Sequence, residues 1–244
     1  MDDAPTIKKY LSKIDTSNKF YIDIGASFSS NLTDRRVIKS DLTIFCECDE
    51  SKYPTWNKWG ELKSFNLVTE KISPNNIIGL FEKITDKKDP CFLDIDIDGY
   101  DFYVLEALLK GGYRPSLICA ETNEKIPPPI KFSVKYDPAY SWDVSHFYGM
   151  SIAKADELFQ EYGYDIIDLT YNNVYAVLRD KNTEYKTYSA AEAYDKFYRN
   201  RADRAAKYPW NNNVSSALEM SPEDGVKFFN NFFAGREFDY ELYI

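Results

Sequence analysis

The sequence Phe20-Tyr21-Ile22-Asp23-Ile24-Gly25 gives the first indication of how the chain folds. A short apolar run closed by glycine is typical of a buried strand that enters a loop. Four further strand-like runs follow along the chain, at residues 43–49, 64–68, 91–99 and 116–121. Apolar residues at helical spacing lie between several of these runs, so strands and helices are predicted to alternate.

The predicted helices and a final hairpin complete this pattern. The helices cover residues 34–40, 74–84, 103–109 and 151–162. Ser73 is the predicted N-cap of the second helix, with Pro74 in its first turn. Residues 164–170 and 173–179 are predicted to be two strands joined by a tight turn, which pairs strands antiparallel. Because strands alternate with helices elsewhere, the prediction is an α/β fold with a mostly parallel sheet of seven strands and a reversed last strand.

The length of the chain fits one large domain with an appendage. The chain has 244 residues, and a soluble domain holds roughly 100–200. Hydrophobic residues make up 44% of the chain, which is enough for a sizeable core. Residues 1–180 are expected to form the main domain, because the predicted strands end there. Residues 181–244 are expected to form a C-terminal helical extension, rich in tyrosine and phenylalanine from Tyr188 onward.

The charge of the chain restricts its partners. The sequence has 39 acidic and 30 basic residues, for a formal net charge of −9 at pH 7. Sequence-independent binding of nucleic acid needs a basic surface, so no nucleic-acid partner is expected. The sequence has no apolar run long enough to span a membrane, and its acidic start lacks the features of a signal peptide. A cytoplasmic protein is therefore expected.

The four cysteines, Cys46, Cys48, Cys91 and Cys119, lie in strand-like apolar runs. Zinc binding is one interpretation, but Cys46 and Cys48 lack the two-residue spacing of a zinc knuckle, and the other two cysteines are isolated in the sequence. Buried thiols that form neither a metal site nor a disulfide are expected instead.

Candidate ligand-binding residues lie at the ends of predicted strands, where α/β sheets bind their ligands. The first strand ends in Asp23, Gly25, Ala26 and Ser27, and the second contains Glu47 near its end. A turn of small residues lets the backbone approach a ligand, and an acid on the neighbouring strand can accept hydrogen bonds from ribose hydroxyls. The pattern indicates a nucleoside site, but it lacks the three glycines of the dinucleotide motif. An ordinary tight turn after a strand is the alternative.

A run of acids ends the fourth predicted strand, in the sequence Asp94-Ile95-Asp96-Ile97-Asp98-Gly99-Tyr100-Asp101. Along a strand, Asp94, Asp96 and Asp98 share one face, where three carboxylates repel one another unless a cation or hydrogen bonds compensate. A hard cation such as Mg²⁺ is one prediction, with Asp96, Asp98 and Glu121 as its candidate ligands. The alternative is that these acids cap the following helix or face solvent.

A general base is predicted at His146 or Asp96. His146 is the only histidine and lies in an aromatic loop just before a predicted helix. Histidine titrates near neutral pH, which suits proton transfer. A hydrogen-bonded structural histidine is the alternative interpretation.

Taken in order, these motifs resemble those of class I S-adenosylmethionine-dependent methyltransferases, and in particular the FkbM-like group that acts on glycans and small metabolites. The resemblance covers about residues 18–180, and the most informative motif is that of the fourth strand. In the group it reads roughly Ile-Asp-Val-Glu-Gly, followed by an acid and a Val-Leu pair. The corresponding residues here are Asp96, Asp98, Gly99, Asp101, Val104 and Leu105.

The resemblance implies a fold and a cofactor. The fold is a Rossmann-like sheet of seven strands with a reversed last strand, which agrees with the strand pattern. The cofactor is S-adenosylmethionine, bound by residues 1–180. Residues 181–244 fall outside the resemblance and are expected to form a lid or a dimer face.

The resemblance also implies roles for individual residues. Asp23, Gly25 and Ala26 would line the methionine side of the cofactor. Glu47 would hold the ribose, and Asp96 would lie beside the transferring methyl group. The full set of predicted cofactor-binding residues is Asp23, Gly25, Ala26, Ser27, Glu47 and Asp94.

The predicted activity is O-methylation of a sugar, a glycan precursor or a small metabolite, with Asp96 or His146 as the base. Mg²⁺ is a second cofactor in one version of this prediction, and a homodimer is one predicted assembly. Two alternatives stay open. A metal-dependent glycosyltransferase would use Asp96 and Asp98 to bind a nucleotide sugar, and a non-catalytic methyltransferase fold would serve as an interaction module.

Overall fold

A computed structural model describes residues 4–14, 16–27, 40–54 and 65–244. These residues form two compact units. The first unit comprises the described residues of Met1–Ile97, together with Val104–Cys119 and Leu178–Glu184. The second unit comprises Asp98–Tyr103, Ala120–Val177 and Tyr185–Ile244. Apart from its last residue, the predicted helix over residues 34–40 lies outside the described residues.

Within the described residues, one sheet contains seven strands and another contains two. The strands of the larger sheet are β1 (Phe20–Ile24), β2 (Leu42–Cys46), β3 (Phe65–Val68), β4 (Phe92–Ile95), β5 (Leu117–Glu121), β7 (Tyr164–Thr170) and β8 (Asn173–Leu178). Their order in the sheet is β3-β2-β1-β4-β5-β8-β7. Of the strands in this sheet, β8 comes last along the chain. It runs antiparallel to β7, because only residues 171–172 separate the two strands. The predicted α/β fold with seven strands and a reversed last strand is therefore confirmed.

The parallel core of the first unit is built on β1. All five residues of β1 are buried, as expected of a strand with neighbours on both sides. This strand pairs in parallel with β2 on one side and with β4 on the other. The chain therefore fills the sheet from β1 through β2 to β3 and then restarts at β4 on the opposite side. The strand order reverses between β1 and β4, which is where open α/β sheets bind their ligands.

Three of the predicted helices are present, the helix at Ala4–Leu11 was not predicted, and one predicted helix start is wrong. The helices of the described residues are α1 (Ala4–Leu11), α2 (Ile77–Glu82), α3 (Asp101–Lys110), α4 (Ile152–Tyr162), α5 (Ala190–Tyr194), α6 (Arg204–Lys207) and α7 (Pro222–Phe232). The correction concerns α2, which begins at Ile77 and is not capped by Ser73. Instead, the side chain of Asn76 accepts a hydrogen bond from the Ser73 N–H, so the chain makes a turn before the helix starts.

Two strands of the second unit were missed by the sequence analysis. β6 (Lys131–Val134) pairs antiparallel with β9 (Tyr240–Tyr243) in a separate two-stranded sheet. The prediction that the chain is helical from Tyr188 onward is therefore wrong at its end. It holds for α5 to α7, a π-helical turn at Asp195–Arg199 and a 3-10 helix at Pro209–Glu219.

The cysteines agree with the prediction in three cases out of four. None of the four forms a disulfide, and Cys46, Cys91 and Cys119 are buried. Cys48 is exposed, which corrects the expectation of four buried thiols. It lies two residues beyond the end of β2, where the chain has left the sheet. None of the helices in the described part of the chain combines the length and the apolar character needed to cross a membrane.

Candidate functional site

In the first unit, the predicted cofactor residues lie at the carboxyl ends of β1, β2 and β4. Asp23 on β1 and Asp94 on β4 are register partners, so they lie side by side where the strand order reverses. The side chain of Asp23 is buried, and Asp94 is half-buried. The structure therefore brings together two of the predicted residues, on adjacent strands at the expected end of the sheet.

Glu47 follows β2 directly and is buried, although its carboxylate already has two partners. One oxygen accepts a hydrogen bond from the Asp49 N–H at 2.8 Å. The other oxygen lies 3.1 Å from Nζ of Lys52. Each carboxylate oxygen has two lone pairs, so Glu47 retains acceptor capacity while its side chain is held in place.

Gly25 lies in the loop after β1 and cannot be replaced without movement of the backbone. Its φ of +91° is a conformation that other residues rarely adopt. A Cβ at this position would also come within 1.7 Å of the carbonyl oxygen of Asp96. The carbonyl oxygen of Cys46 accepts hydrogen bonds from the Gly25 and Ala26 N–H groups and so fixes the start of this loop. Ser27 follows with a φ of +53°.

The acid run after β4 is divided between the two units. Asp96 belongs to the first unit and is exposed, and its N–H donates to the carbonyl oxygen of Ile24. Asp98 and Asp101 belong to the second unit. Asp101 is fully buried, and its carboxylate accepts a hydrogen bond from the Gly99 N–H. This acid therefore stabilises the turn before α3.

The second unit contains a pocket with a volume of about 520 Å³, a typical size for a small-molecule site. Every residue that lines it belongs to this unit. The lining combines acidic, aromatic and amide side chains. It consists of Asp98, Glu121, Glu124, Lys125, Trp142, Val144, Ser145, His146, Tyr148, Tyr171, Asn172 and Trp210.

Two acids predicted from the sequence, Asp98 and Glu121, meet in this pocket. A carboxylate oxygen of one lies within 4.8 Å of a carboxylate oxygen of the other. Glu121 is buried at the end of β5, and its Oε1 accepts a hydrogen bond from Nδ2 of Asn172 at 2.7 Å. Asn172 lies in the short turn between β7 and β8, so this turn and the end of β5 together position Glu121. The predicted binding of Mg²⁺ by Asp96, Asp98 and Glu121 stays a prediction.

His146, which is one of the two candidate general bases, also lines the pocket. Its Nε2 lies 3.1 Å from Oδ1 of Asn213. An amide oxygen only accepts hydrogen bonds, so Nε2 carries the proton and Nδ1 is left as an acceptor. Burial, and after it the charge of Lys125, lower the pKa of His146 below its ordinary value of 6.5. The imidazole is therefore neutral at pH 7.

A buried ion pair that the sequence analysis missed forms part of the pocket wall. Glu124 is 2% exposed and Lys125 is 3% exposed. Nζ of Lys125 lies 3.2 Å from Oε2 of Glu124 and donates to the hydroxyl of Tyr148 at 2.6 Å. The Tyr148 hydroxyl in turn donates to Glu124 at 3.1 Å, and Asn211 donates to the other oxygen of Glu124 at 2.8 Å. Burial and then the charge of Glu124 raise the pKa of Tyr148, so its hydroxyl stays protonated.

Aromatic side chains from three separate segments complete the pocket. Trp142 contacts Tyr148 edge to face, with ring centres 5.9 Å apart. Tyr171 contacts Trp210 at 5.6 Å and stacks on Tyr208 at 5.1 Å. Trp142 and Tyr148 lie in the aromatic loop that contains His146, but no sequence pattern singled out Tyr171 or Trp210. Only the general richness of the C-terminal segment in aromatic residues pointed to a role for it.

Comparison with known proteins gives a likeness of fold alone. No model of a known protein family matches the chain, and no curated protein matches it. An S-adenosylmethionine-dependent methyltransferase from Clostridium acetobutylicum is 10% identical, with 72% of this chain and 90% of that chain covered and a TM-score of 0.43. Precorrin-6y C5,15-methyltransferase from Geobacter metallireducens is 14% identical, with 71% and 84% covered and a TM-score of 0.43. Identities and TM-scores this low give no evidence about the function of this chain.

Proposed function

We propose that this protein is an S-adenosylmethionine-dependent methyltransferase that methylates a hydroxyl group of a sugar, a glycan precursor or another small metabolite. One observation carries the proposal. Asp23 and Asp94 are register partners at the point where the strand order reverses, and Glu47 is buried at the end of the next strand, β2. Three acids at this edge of the sheet suit a ligand that combines a ribose with positively charged groups.

The residues of the first unit fit S-adenosylmethionine in their chemistry. Glu47 is oriented by Asp49 and Lys52 and retains lone pairs for ribose hydroxyls. Asp23 and Asp94 would attract the ammonium and sulfonium charges of the methionine part. The Gly25 backbone has no room for a side chain, which favours close approach of a ligand to the main chain. When bound, S-adenosylmethionine supplies an activated methyl group.

The acceptor is assigned to the pocket of the second unit. The chain itself connects the two sets of residues, because β4 carries Asp94 and Asp98 follows four residues later.

His146 is the proposed general base. Its imidazole is neutral, and the contact of Nε2 with Asn213 leaves Nδ1 to accept the proton of the acceptor hydroxyl. The hydroxyl oxygen would take the methyl group as the bond between that group and the sulfonium sulfur breaks, and a neutral thioether would leave. Asp96 is the second candidate, on the basis of its predicted place beside the methyl group. A turnover that is unchanged by His146→Gln and reduced by Asp96→Asn would assign the role to Asp96.

The C-terminal segment, residues 181–244, belongs to the proposed acceptor site. It supplies Trp210 to the pocket, and its residue Asn211 holds the buried carboxylate of Glu124. The hydroxyl of Tyr194 donates to the carbonyl oxygen of Glu124 at 2.7 Å. These contacts support a role in closing the pocket, and they favour the lid over the dimer face among the two roles predicted for this segment.

Calorimetric titration with S-adenosylhomocysteine tests the proposed cofactor. We expect micromolar binding to the full chain and a loss of about tenfold or more in Glu47→Ala, because hydrogen bonds to a charged group contribute about 1.5–3 kcal/mol. The titration is repeated with EDTA and with Mg²⁺, so that any dependence on a metal is seen directly. Absence of binding under all three conditions would overturn the proposal, and nucleotide sugars with Mn²⁺ would then test the glycosyltransferase alternative.

A further inference from the structure

Part of the lining of the pocket in the second unit is apolar and faces solvent. We infer that the pocket binds an amphipathic small molecule, a hydroxylated compound with an apolar alkyl or aryl group, and that Trp142, Val144 and Trp210 bind that apolar group. The inference rests on the proposed function and deepens it, because this ligand would be the methyl acceptor. Its binding can be measured on its own, without the cofactor.

Exposed apolar side chains are concentrated at this pocket. Among the described residues, five large hydrophobic side chains are exposed, and three of them line the pocket. Trp142 is 37% exposed, Val144 is 80% exposed and Trp210 is 44% exposed. Residues that line a cavity and also face solvent lie where the cavity opens, so these three are called the apolar rim. Apolar residues grouped in this way mark binding sites, whereas single ones are common on any surface.

Val144 has a backbone conformation that is unfavourable for its own side chain. Its φ of +62° lies in the left-handed region, where glycine and asparagine are favoured and a β-branched residue is rare. Because most of its side chain is exposed, packing inside the protein does not explain an apolar residue at this position. A contact with a bound ligand explains it, since strained residues cluster at sites that bind ligands.

The turn that carries Val144 is held on both sides. The Ser145 N–H donates to Oδ1 of Asp143 at 3.1 Å, and Nε1 of Trp142 donates to the carbonyl oxygen of Ser145 at 2.9 Å. Arg236 forms an ion pair with Asp143. These contacts fix this part of the apolar rim before a ligand binds, which lowers the entropy that binding costs.

Polar groups of the same pocket can bind the hydroxylated part of the ligand. Nδ1 of His146 is left as an acceptor, because Nε2 faces Asn213. The hydroxyl of Tyr171 has no hydrogen-bond partner among the described residues, so it can donate to a ligand or accept from one. The pocket volume of about 520 Å³ is typical of sites for drug-sized molecules. A ligand with both polar and apolar parts would use the whole lining.

A small amphipathic ligand explains the lining better than the other occupants do. A second copy of the chain or a membrane surface would cover the apolar rim from outside, and the polar groups within the cavity would gain no contact from it. A ligand without an apolar group would leave the apolar rim in water, although its burial is favourable. Only the amphipathic ligand uses both kinds of lining.

The test compares two ligands that differ only in their alkyl chain. Hexyl β-D-glucoside and methyl β-D-glucoside are each titrated at pH 7 into the full chain, below the micelle concentration of the hexyl compound, and calorimetry measures binding. We expect the hexyl compound to bind at least tenfold more tightly, because each buried methylene group favours binding. Equal binding of the two compounds, or binding of neither, would overturn the inference.

Val144→Asn tests the contact itself. Asparagine adopts the left-handed conformation readily, so the variant should fold with a thermal midpoint at least as high as that of the wild-type protein. It should weaken binding of the hexyl compound at least threefold and leave binding of the methyl compound unchanged. The matched control is Ile244→Asn, a similar change at an exposed apolar residue that does not line the pocket, and it should alter neither affinity. A preference for the hexyl compound that Val144→Asn does not reduce would also overturn the inference.

Two further measurements test the other occupants. We expect sedimentation of the wild-type protein and of Val144→Asn to show the same oligomeric state, and neither protein to bind phosphatidylcholine vesicles. A dimer that the substitution dissociates would overturn the inference in favour of a second copy. Vesicle binding that the substitution removes would overturn it in favour of a membrane surface.

The outcomes distinguish this inference from the proposed function. Binding of S-adenosylhomocysteine together with equal binding of the two glucosides would leave the methyltransferase proposal intact and remove only the apolar group of the acceptor. A preference for the hexyl compound together with no binding of S-adenosylhomocysteine would keep the ligand assignment and remove the methyltransferase.

Discussion

Asp23 on β1 and Asp94 on β4 are register partners in adjacent parallel strands. Side chains of such partners project from the same face of the sheet, so the two acids lie next to each other where the strand order reverses. A positively charged ligand bound at this point would be attracted by both carboxylates. This relationship yields the first prediction about the proposed cofactor site.

Asp23→Asn should lower the affinity for S-adenosylhomocysteine by about tenfold, because a charged hydrogen bond contributes about 1.5–3 kcal/mol. The matched control is Asp41→Asn, the same chemical change at an exposed residue just before β2, at the opposite end of the sheet. Calorimetry should show a loss of affinity in the first variant and none in the second. An equal effect of the two changes would argue against a cofactor contact at Asp23.

Gly25→Ala should destabilise the fold more than an alanine at another glycine of the same conformation. Gly163 provides the comparison, because it has a φ of +80° and a Cβ there would meet no atom within 4 Å, whereas a Cβ on Gly25 meets the carbonyl oxygen of Asp96. Gly163→Ala should cost about 1–2 kcal/mol for its backbone conformation alone. Gly25→Ala should cost roughly 1–3 kcal/mol more, because the loop must move. Urea denaturation of both variants measures this difference, and similar losses would contradict the close approach of Gly25 to Asp96.

Lys125→Met should destabilise the protein by about 3–5 kcal/mol, because it leaves the carboxylate of Glu124 buried without its cation. Glu124→Gln in the same chain should recover part of the loss, and a double-mutant cycle measures this coupling. Lys131→Met is the matched control. Its partner Glu157 lies at a similar distance, 2.9 Å, but both side chains are far more exposed. The control should cost at most about 1 kcal/mol, and equal effects at the two lysines would contradict the buried pair.

Much of the fold could be predicted from the sequence because its determinants are local. The predicted helix over residues 151–162 became α4 (Ile152–Tyr162), since Ser151 caps its start and Gly163 ends it in a left-handed conformation. The order of strands and helices follows from the same kind of local pattern. Asp98 and Glu121 could be grouped from the sequence for a similar reason, because both lie at or just beyond the ends of predicted strands.

The parts that could not be predicted depend on contacts between distant residues. β6 and β9 are four-residue strands that pair across more than a hundred residues, so neither has a readable pattern by itself. Glu124 and Lys125 are adjacent charged residues, which in a sequence indicate a solvent-exposed segment. They are buried because Asn211 and Tyr194, far along the chain, cover and bond Glu124.

Cys48 should be the only cysteine that reacts with a thiol reagent in the native protein. It is exposed, whereas the other three are buried, and burial raises the pKa of the Cys46 thiol. One thiol should react before denaturation and all four afterwards, and Cys48→Ser should remove the native reaction. Because Cys48 follows Glu47 directly, bound S-adenosylhomocysteine should slow the labelling several-fold. An unchanged rate would argue against the proposed ribose contact.

The acid sensitivity of the fold should depend on His146, which is the only histidine in the chain. Burial, and then Lys125, lower the pKa of this side chain in the folded state below 6.5. Between the folded pKa and the unfolded one, the unfolded chain binds a proton that the folded chain does not, so the free energy of unfolding falls as the pH drops below 6.5.

His146→Gln should remove this part of the pH dependence, because glutamine keeps a polar group beside Asn213 but takes up no proton. Urea denaturation at pH 7.5 and at pH 5.5 measures the free energy of unfolding of both proteins. The wild-type protein should lose more of this free energy between the two pH values than the variant. Carboxylates titrate mainly below this range, so they contribute similarly to both proteins. An identical loss in the two chains would mean that the imidazole takes up its proton as readily when folded, and His146 would then be a weaker candidate for a neutral base at pH 7.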